Sequence, residues 1–143
     1  MTSTRPNPEY EAFVAAKAAY KSALEGCLAA RADGLDASRP LTCSISEAAE
    51  CDGVAACSDV TLEQIDLPAL WRVDFAAKQL SSQDGQRTSP IAALETLDGA
   101  LILQGHQNGR GWTLVVERAA GHLSASAADA EGAFVLAGSC TAA

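Results

Sequence analysis

The side chains able to do chemistry are few, and five of them are cysteines: Cys27, Cys43, Cys51, Cys57 and Cys140. None stands in a C-x-x-C pair, and the two histidines, His106 and His122, are distant in sequence from the Cys43–Cys57 cluster. A zinc centre needs paired ligands at tight spacing, so no metal site is assigned. The spacing reads instead as a disulfide framework. Connectivity is not deducible from five cysteines alone. The pairing we expect is Cys51–Cys57 as a local clip around the Asp52-Gly53 turn, with Cys43–Cys140 as a long clasp joining the first and last strands. Cys27 is then left over on the apolar face of a helix, as a buried thiol or as the donor of an intermolecular bond.

Nothing else in the chain assembles into a catalytic set. No G-x-S-x-G elbow accompanies either histidine, and triad geometry cannot be read from chain order. Cys140 is expected to be oxidised and so is not assigned as a nucleophile, since attack needs an exposed thiolate. The run Gly105-His106-Gln107-Asn108-Gly109-Arg110-Gly111-Trp112 is Gly-rich. It feeds a strand, whereas a phosphate loop feeds a helix N-terminus; we read it as a hairpin. The expectation is a non-enzymatic protein with no catalytic residues and no cofactor.

The chain has 143 residues, one domain's worth, and 48 % of them are apolar. Thirty are alanine, and Leu, Ile, Val and Phe together number only 29. Such a core is thin and gains from cross-links. No apolar run reaches the length of a membrane-spanning helix. The net charge of −8 argues against nucleic acid, whose binding rests on Lys and Arg. Residues 1–40 are electrically neutral, whereas residues 41–66 carry Glu47, Glu50, Asp52, Asp59, Glu63 and Asp66 without a single Lys or Arg. This segment is a solvated acidic face, or a docking face for a basic partner; the ligand spacing of a calcium loop is absent. Disulfides imply maturation in an oxidising compartment. Lys17, Lys21 and Glu25 interrupt any leader-like apolar stretch; the expectation is a periplasmic or secreted chain whose leader has been removed, with a cytosolic chain of reduced thiols as the alternative.

The elements that must position these groups follow from two periods. Asn7-Pro8-Glu9 reads as a helix start, with Asn as N-cap, Pro in the first turn and an acid beside it. Tyr10, Phe13, Lys17, Tyr20, Leu24, Cys27 and Arg31 then recur at steps of three and four, which predicts a helix over residues 8–33 ending at Gly34. Residues 35–40 read as linker. From residue 41 the period becomes two. Strands are expected at Leu41–Ile45, Trp71–Phe75, Lys78–Ser82, Ile91–Leu97, Ala100–His106, Trp112–Arg118, His122–Ala127 and Ala133–Cys140. Residues 46–69 are expected to be irregular, with helical turns at Ser46–Cys51 and Thr61–Ile65. Turn pairs punctuate the later strands: Asp84-Gly85, Asp98-Gly99, Asn108-Gly109, Ala120-Gly121 and Glu131-Gly132. The expected fold is mainly β with an N-terminal helix: residues 1–40 form helix and linker, and residues 41–143 an antiparallel meander of about eight strands, curled or closed into a small barrel. Trp71 and Trp112 are expected in its core, with a ligand cavity as the alternative.

Leu41-Thr42-Cys43, Glu50-Cys51, Cys57, Leu67-Pro68 before an aromatic strand, Asn108-Gly109-Arg110-Gly111-Trp112 and Gly138-Ser139-Cys140-Thr141 give residues 41–141 a resemblance to small exported proteobacterial proteins of unassigned function. The resemblance implies an exported β domain and transfers no catalytic residue. The leading expectation is an interaction module or accessory subunit. It would dock another protein through the helix stripe (Tyr10, Phe13, Tyr20, Leu24) or the acidic segment (Glu47, Glu50, Asp52, Asp59). The alternatives are an inhibitor of a basic cell-wall hydrolase such as lysozyme, favoured by charge, and a lipocalin-like carrier of a small apolar ligand. The carrier needs a cavity of roughly 300 Å³ or more, which a barrel filled by Trp71, Phe75, Trp112 and Phe134 would lack.

Overall fold

The computed structural model describes residues 15–21 and 34–143. The chain divides into two units, residues 1–34 and residues 35–143. In the first, residues 15–21 are helical, within the expected helix, and Tyr20 is 71 % exposed. Tyr10, Phe13, Leu24 and Cys27 lie outside the described residues.

The second unit is built from nine strands: β1 (Leu41–Cys51), β2 (Cys57–Val60), β3 (Leu70–Asp74), β4 (Gln79–Ser82), β5 (Thr88–Thr96), β6 (Ala100–Gln107), β7 (Arg110–Glu117), β8 (His122–Ala128) and β9 (Ala133–Ala142). They hydrogen-bond in the order β2-β1-β3-β4-β5-β6-β7-β8-β9, and β9 returns to pair with β1. All pairings are antiparallel. The β1–β9 pairing closes eight strands into a barrel and leaves β2 as an extra strand on β1. Closure removes the unpaired edges that an open meander would expose. The hairpins follow from the turn pairs: Asn108 and Gly109 have φ of 53° and 79°, the two positive values that a type I′ turn requires.

Two segments differ from expectation. Ser46–Cys51 is not a helical turn; it is the second half of β1, which pairs with β9 on one side and β2 on the other. The long-range ladders on both edges override the local preference of a short Glu/Ala stretch. A β-bulge between Ile45 and Glu47 resets the alternation, so that Ala48 faces inward after Leu41, Cys43 and Ile45. Residues 35–40 are tied to the barrel rather than forming a free linker. The Leu35 N–H donates to the Arg118 carbonyl (3.0 Å), and Arg118 Nε donates to the Leu35 carbonyl (2.7 Å). The turn near Thr61–Ile65 is present, and it is capped reciprocally: the Thr61 N–H donates to Gln64 Oε1 (2.8 Å) while the Gln64 N–H donates to Thr61 Oγ1 (3.1 Å).

Inward residues alternate along β6, β7 and β8 and are reset by bulges in β1 and β5, and the core is asymmetric along the axis. Leu41, Val73, Leu101, Leu103 and Val116 have no solvent exposure, and they pack the half that holds the chain entry at Leu35. Arg118 closes that end, since its Nη1 also donates to the Leu97 carbonyl (2.9 Å). At the opposite end, which bears the β4–β5, β6–β7 and β8–β9 turns, the positions that pair with or follow the large residues are small. Gly105 is opposite Trp112, Ala127 is opposite Trp112 on the other side, and Ala125 is opposite Leu136.

Candidate functional site

That taper has a physical consequence. An eight-stranded barrel encloses just enough room for side chains to fill it or for one small ligand. Where Ala and Gly occupy the inward positions, the interior stays open. The open end holds a cavity of about 560 Å³, inside the range of small-molecule sites. Its walls are apolar (Ile45, Leu80, Leu114, Leu136 and both tryptophans among them), and its rim carries Gln86, Arg87, Gln107, Asn108 and Arg110. No Asp or Glu lines it, in a chain of net charge −8.

The two tryptophans are walls, fixed by their polar edges. Trp71 Nε1 donates to the Pro68 carbonyl (2.7 Å), and Trp112 Nε1 donates to Ser89 Oγ (2.9 Å), as buried indoles require. Trp112 sits across from Gly105. A Cβ at that glycine would enter the indole ring's van der Waals shell and lie 2.6 Å from the Pro90 carbonyl oxygen. Glycine is therefore the residue that lets the ring lie against the strand. Trp71, Phe75 and Trp112 pack against the core cluster without filling the barrel: Trp71 and Trp112 also line the cavity, and Phe75 lines a separate recess with Lys78 and Ile91. The Phe134 ring instead lies under the Arg110 guanidinium, 5.1 Å away.

The rim is organised by turns. In the β4–β5 turn the buried Ser82 hydroxyl donates to Asp84 Oδ1 and accepts the Arg87 N–H (3.0 Å), while Asp84 Oδ1 also accepts the Gln86 N–H (3.0 Å). The Ser82 hydroxyl, then the Gln86 N–H, hold the Asp84 carboxyl below its ordinary pKa. In the β8–β9 turn the N–H groups of Glu131 (2.9 Å) and Gly132 (3.0 Å) donate to Asp129 Oδ1, and Arg110 Nη2 donates to Oδ2 (3.0 Å). The Glu131 N–H, then Arg110, then the Gly132 N–H lower the Asp129 pKa. Arg87 is held likewise, its Nη2 donating to Asp66 Oδ2 (2.8 Å). Asp66 and Asp129, neither of which lines the cavity, each anchor a rim arginine.

The residues expected to matter divide clearly. Cys43–Cys140 and Cys51–Cys57 are both bridged, each between directly paired residues of adjacent strands, and Cys43 contributes to the cavity wall. Glu47, Asp52 and Asp59 are exposed and Glu50 is half-buried. They lie on β1, on β2 and in the turn that joins them, apart from the cavity lining. His106 and His122 are exposed strand residues, and neither lines the cavity. Among the described residues no group of three potential metal ligands converges, and no helix is long and apolar enough to cross a membrane. Reading the sequence missed Arg87, Arg110 and Ser89 as site residues. The signal available was the position of both arginines beside turn pairs that gather at one barrel end.

Fold and site together define a small, disulfide-clasped antiparallel barrel with a ligand-sized cavity at one mouth. No protein-family model, no curated protein and no solved structure matches the chain.

Proposed function

We propose that this protein binds a small ligand with an apolar body in the open end of its barrel, as a non-enzymatic carrier or binding module. The observation that carries the reading is the 560 Å³ cavity between Trp71 and Trp112. It exceeds the roughly 300 Å³ that separates a binding barrel from a solid one. The two bridges support residence in an oxidising compartment, periplasmic or secreted. The chain's only two tryptophans both line the cavity, so their emission reports its occupancy. Decanol, a neutral probe, is expected to change that emission saturably in the wild-type protein and not in Ala127→Phe, which fills the cavity. Far-UV circular dichroism checks that the variant keeps its sheet. A response that does not saturate, or that survives the filling substitution, defeats the reading.

A second reading rests on a different observation. The β1–β2 arm is clipped by Cys51–Cys57, β2 pairs only with β1, and Val54 at the tip is fully exposed. The arm presents Glu47, Asp52 and Asp59 to solvent, as docking of a basic protein, a cell-wall hydrolase such as lysozyme included, would require. Such binding weakens as salt rises; an affinity indifferent to salt speaks against it.

A further inference from the structure

We infer that the ligand is an amphipathic anion, a carboxylate with an apolar body, whose head group is received by Arg87 and Arg110; this rests on the proposed cavity function and specifies its ligand. Three observations converge. The cavity wall is largely apolar, the buried Ser89 hydroxyl being taken by Trp112 Nε1, and its charged side chains sit at the rim. The cavity lining has two guanidiniums and no carboxylate, the Asp66 and Asp129 carboxylates that pair with them lying outside it, although acidic residues outnumber basic ones by 18 to 10 in the whole chain. Each guanidinium is braced from behind, Arg87 by Asp66 at 2.8 Å and Arg110 by Asp129 at 3.0 Å. Only one N–H of each is committed to that brace, and an arginine has five donors in a planar fork that suits a carboxylate.

Both arginine side chains are partly solvated, and each is oriented by its one ion pair. Arg110 also lies over the Phe134 ring, 5.1 Å from its centroid, so less side-chain freedom is lost when it takes a ligand. The amides of Gln86, Gln107 and Asn108 around the same mouth add donors for the second carboxylate oxygen. A neutral apolar ligand would gain nothing from this rim.

Decanoate and decanol differ only in the head group, and tryptophan emission follows both. The expected result at pH 7 and low salt is decanoate binding about tenfold tighter than decanol, with the advantage shrinking as salt rises. In Arg87→Gln and Arg110→Gln the ratio of decanoate to decanol affinity falls several-fold toward one, and far-UV circular dichroism checks that each variant keeps its barrel. Should either variant lose the sheet, the wild-type comparison and its salt dependence decide alone. Equal affinity for the two probes, or a preference for the alcohol, overturns the anionic assignment and leaves the cavity reading standing. Saturable binding of neither probe overturns both.

Discussion

Gly105 and Trp112 form a pair in which one residue's absence of a side chain allows the other's position. Any Cβ at residue 105 meets the indole ring and the Pro90 carbonyl oxygen, so Gly105→Ala forces the ring off its Ser89 hydrogen bond or pushes the strands apart. Overpacking of this kind costs about 1–3 kcal/mol. The urea midpoint is expected to drop accordingly and the tryptophan emission to shift; an alanine variant of wild-type stability with unchanged emission contradicts the packing described. Asp129 carries the pH argument at the same scale. Its folded carboxyl lies below the ordinary value, so its contribution is present above the unfolded carboxyl pKa of about 3.9 and is lost as pH falls through the folded value. Asp84 acts in the same direction. Stability is expected to be level between about pH 7 and 5 and to decline below about pH 4. Asp129→Asn should lower the neutral-pH stability and narrow its gap to wild type in acid. A gap that is constant across this range, measured by urea unfolding, removes the assigned role.

At the scale of elements, the β1–β2 arm and the barrel proper use their bridges differently. Cys51–Cys57 closes a loop of six residues' separation, and by chain entropy its removal costs roughly 2 kcal/mol. The arm pairs with the barrel through β1 alone, so Cys51→Ala/Cys57→Ala is expected to loosen amide protection in residues 52–60 while leaving β5–β8 protected. Protection lost uniformly over the barrel would show that the arm and the barrel unfold as one. The helical turn anticipated at Ser46–Cys51 failed here for a reason visible in the ladders. Ser46–Cys51 is a strand because β9 and β2 hydrogen-bond both of its edges, and no local pattern announces a partner ninety residues away. The strands from Trp71 onward were legible because Asn-Gly and Asp-Gly pairs separate alternating apolar runs, which is local information.

For the molecule as a whole, closure is the decisive event. Cys43 and Cys140 are 97 residues apart in sequence and directly opposite in the β1–β9 ladder. Losing a bridge of that span costs between about 4 and 5 kcal/mol in the chain-entropy model. Cys43→Ala/Cys140→Ala is therefore expected to fall further in urea midpoint than the arm double variant. The reverse order would mean that closure is secured by the ladder alone. The small side chains that make the core thin also leave the cavity open, so the clasp and the cavity answer the same composition.

Residue types and spacing alone pointed to a β meander of about eight strands and to a disulfide framework, while the pairing of Cys43 with Cys140 and of Cys51 with Cys57 needed the structure. The meander and the framework are consequences of alternation, turn chemistry and cysteine spacing, all of which are read along the chain. Only the tertiary structure decided where the open space lies and what lines it. Arg87, Arg110, Trp71 and Trp112 come from three separate hairpin regions and meet because the barrel's taper brings one set of turns together. That convergence depends on strand order and register, summed over the entire closed sheet, and no single stretch of sequence encodes it.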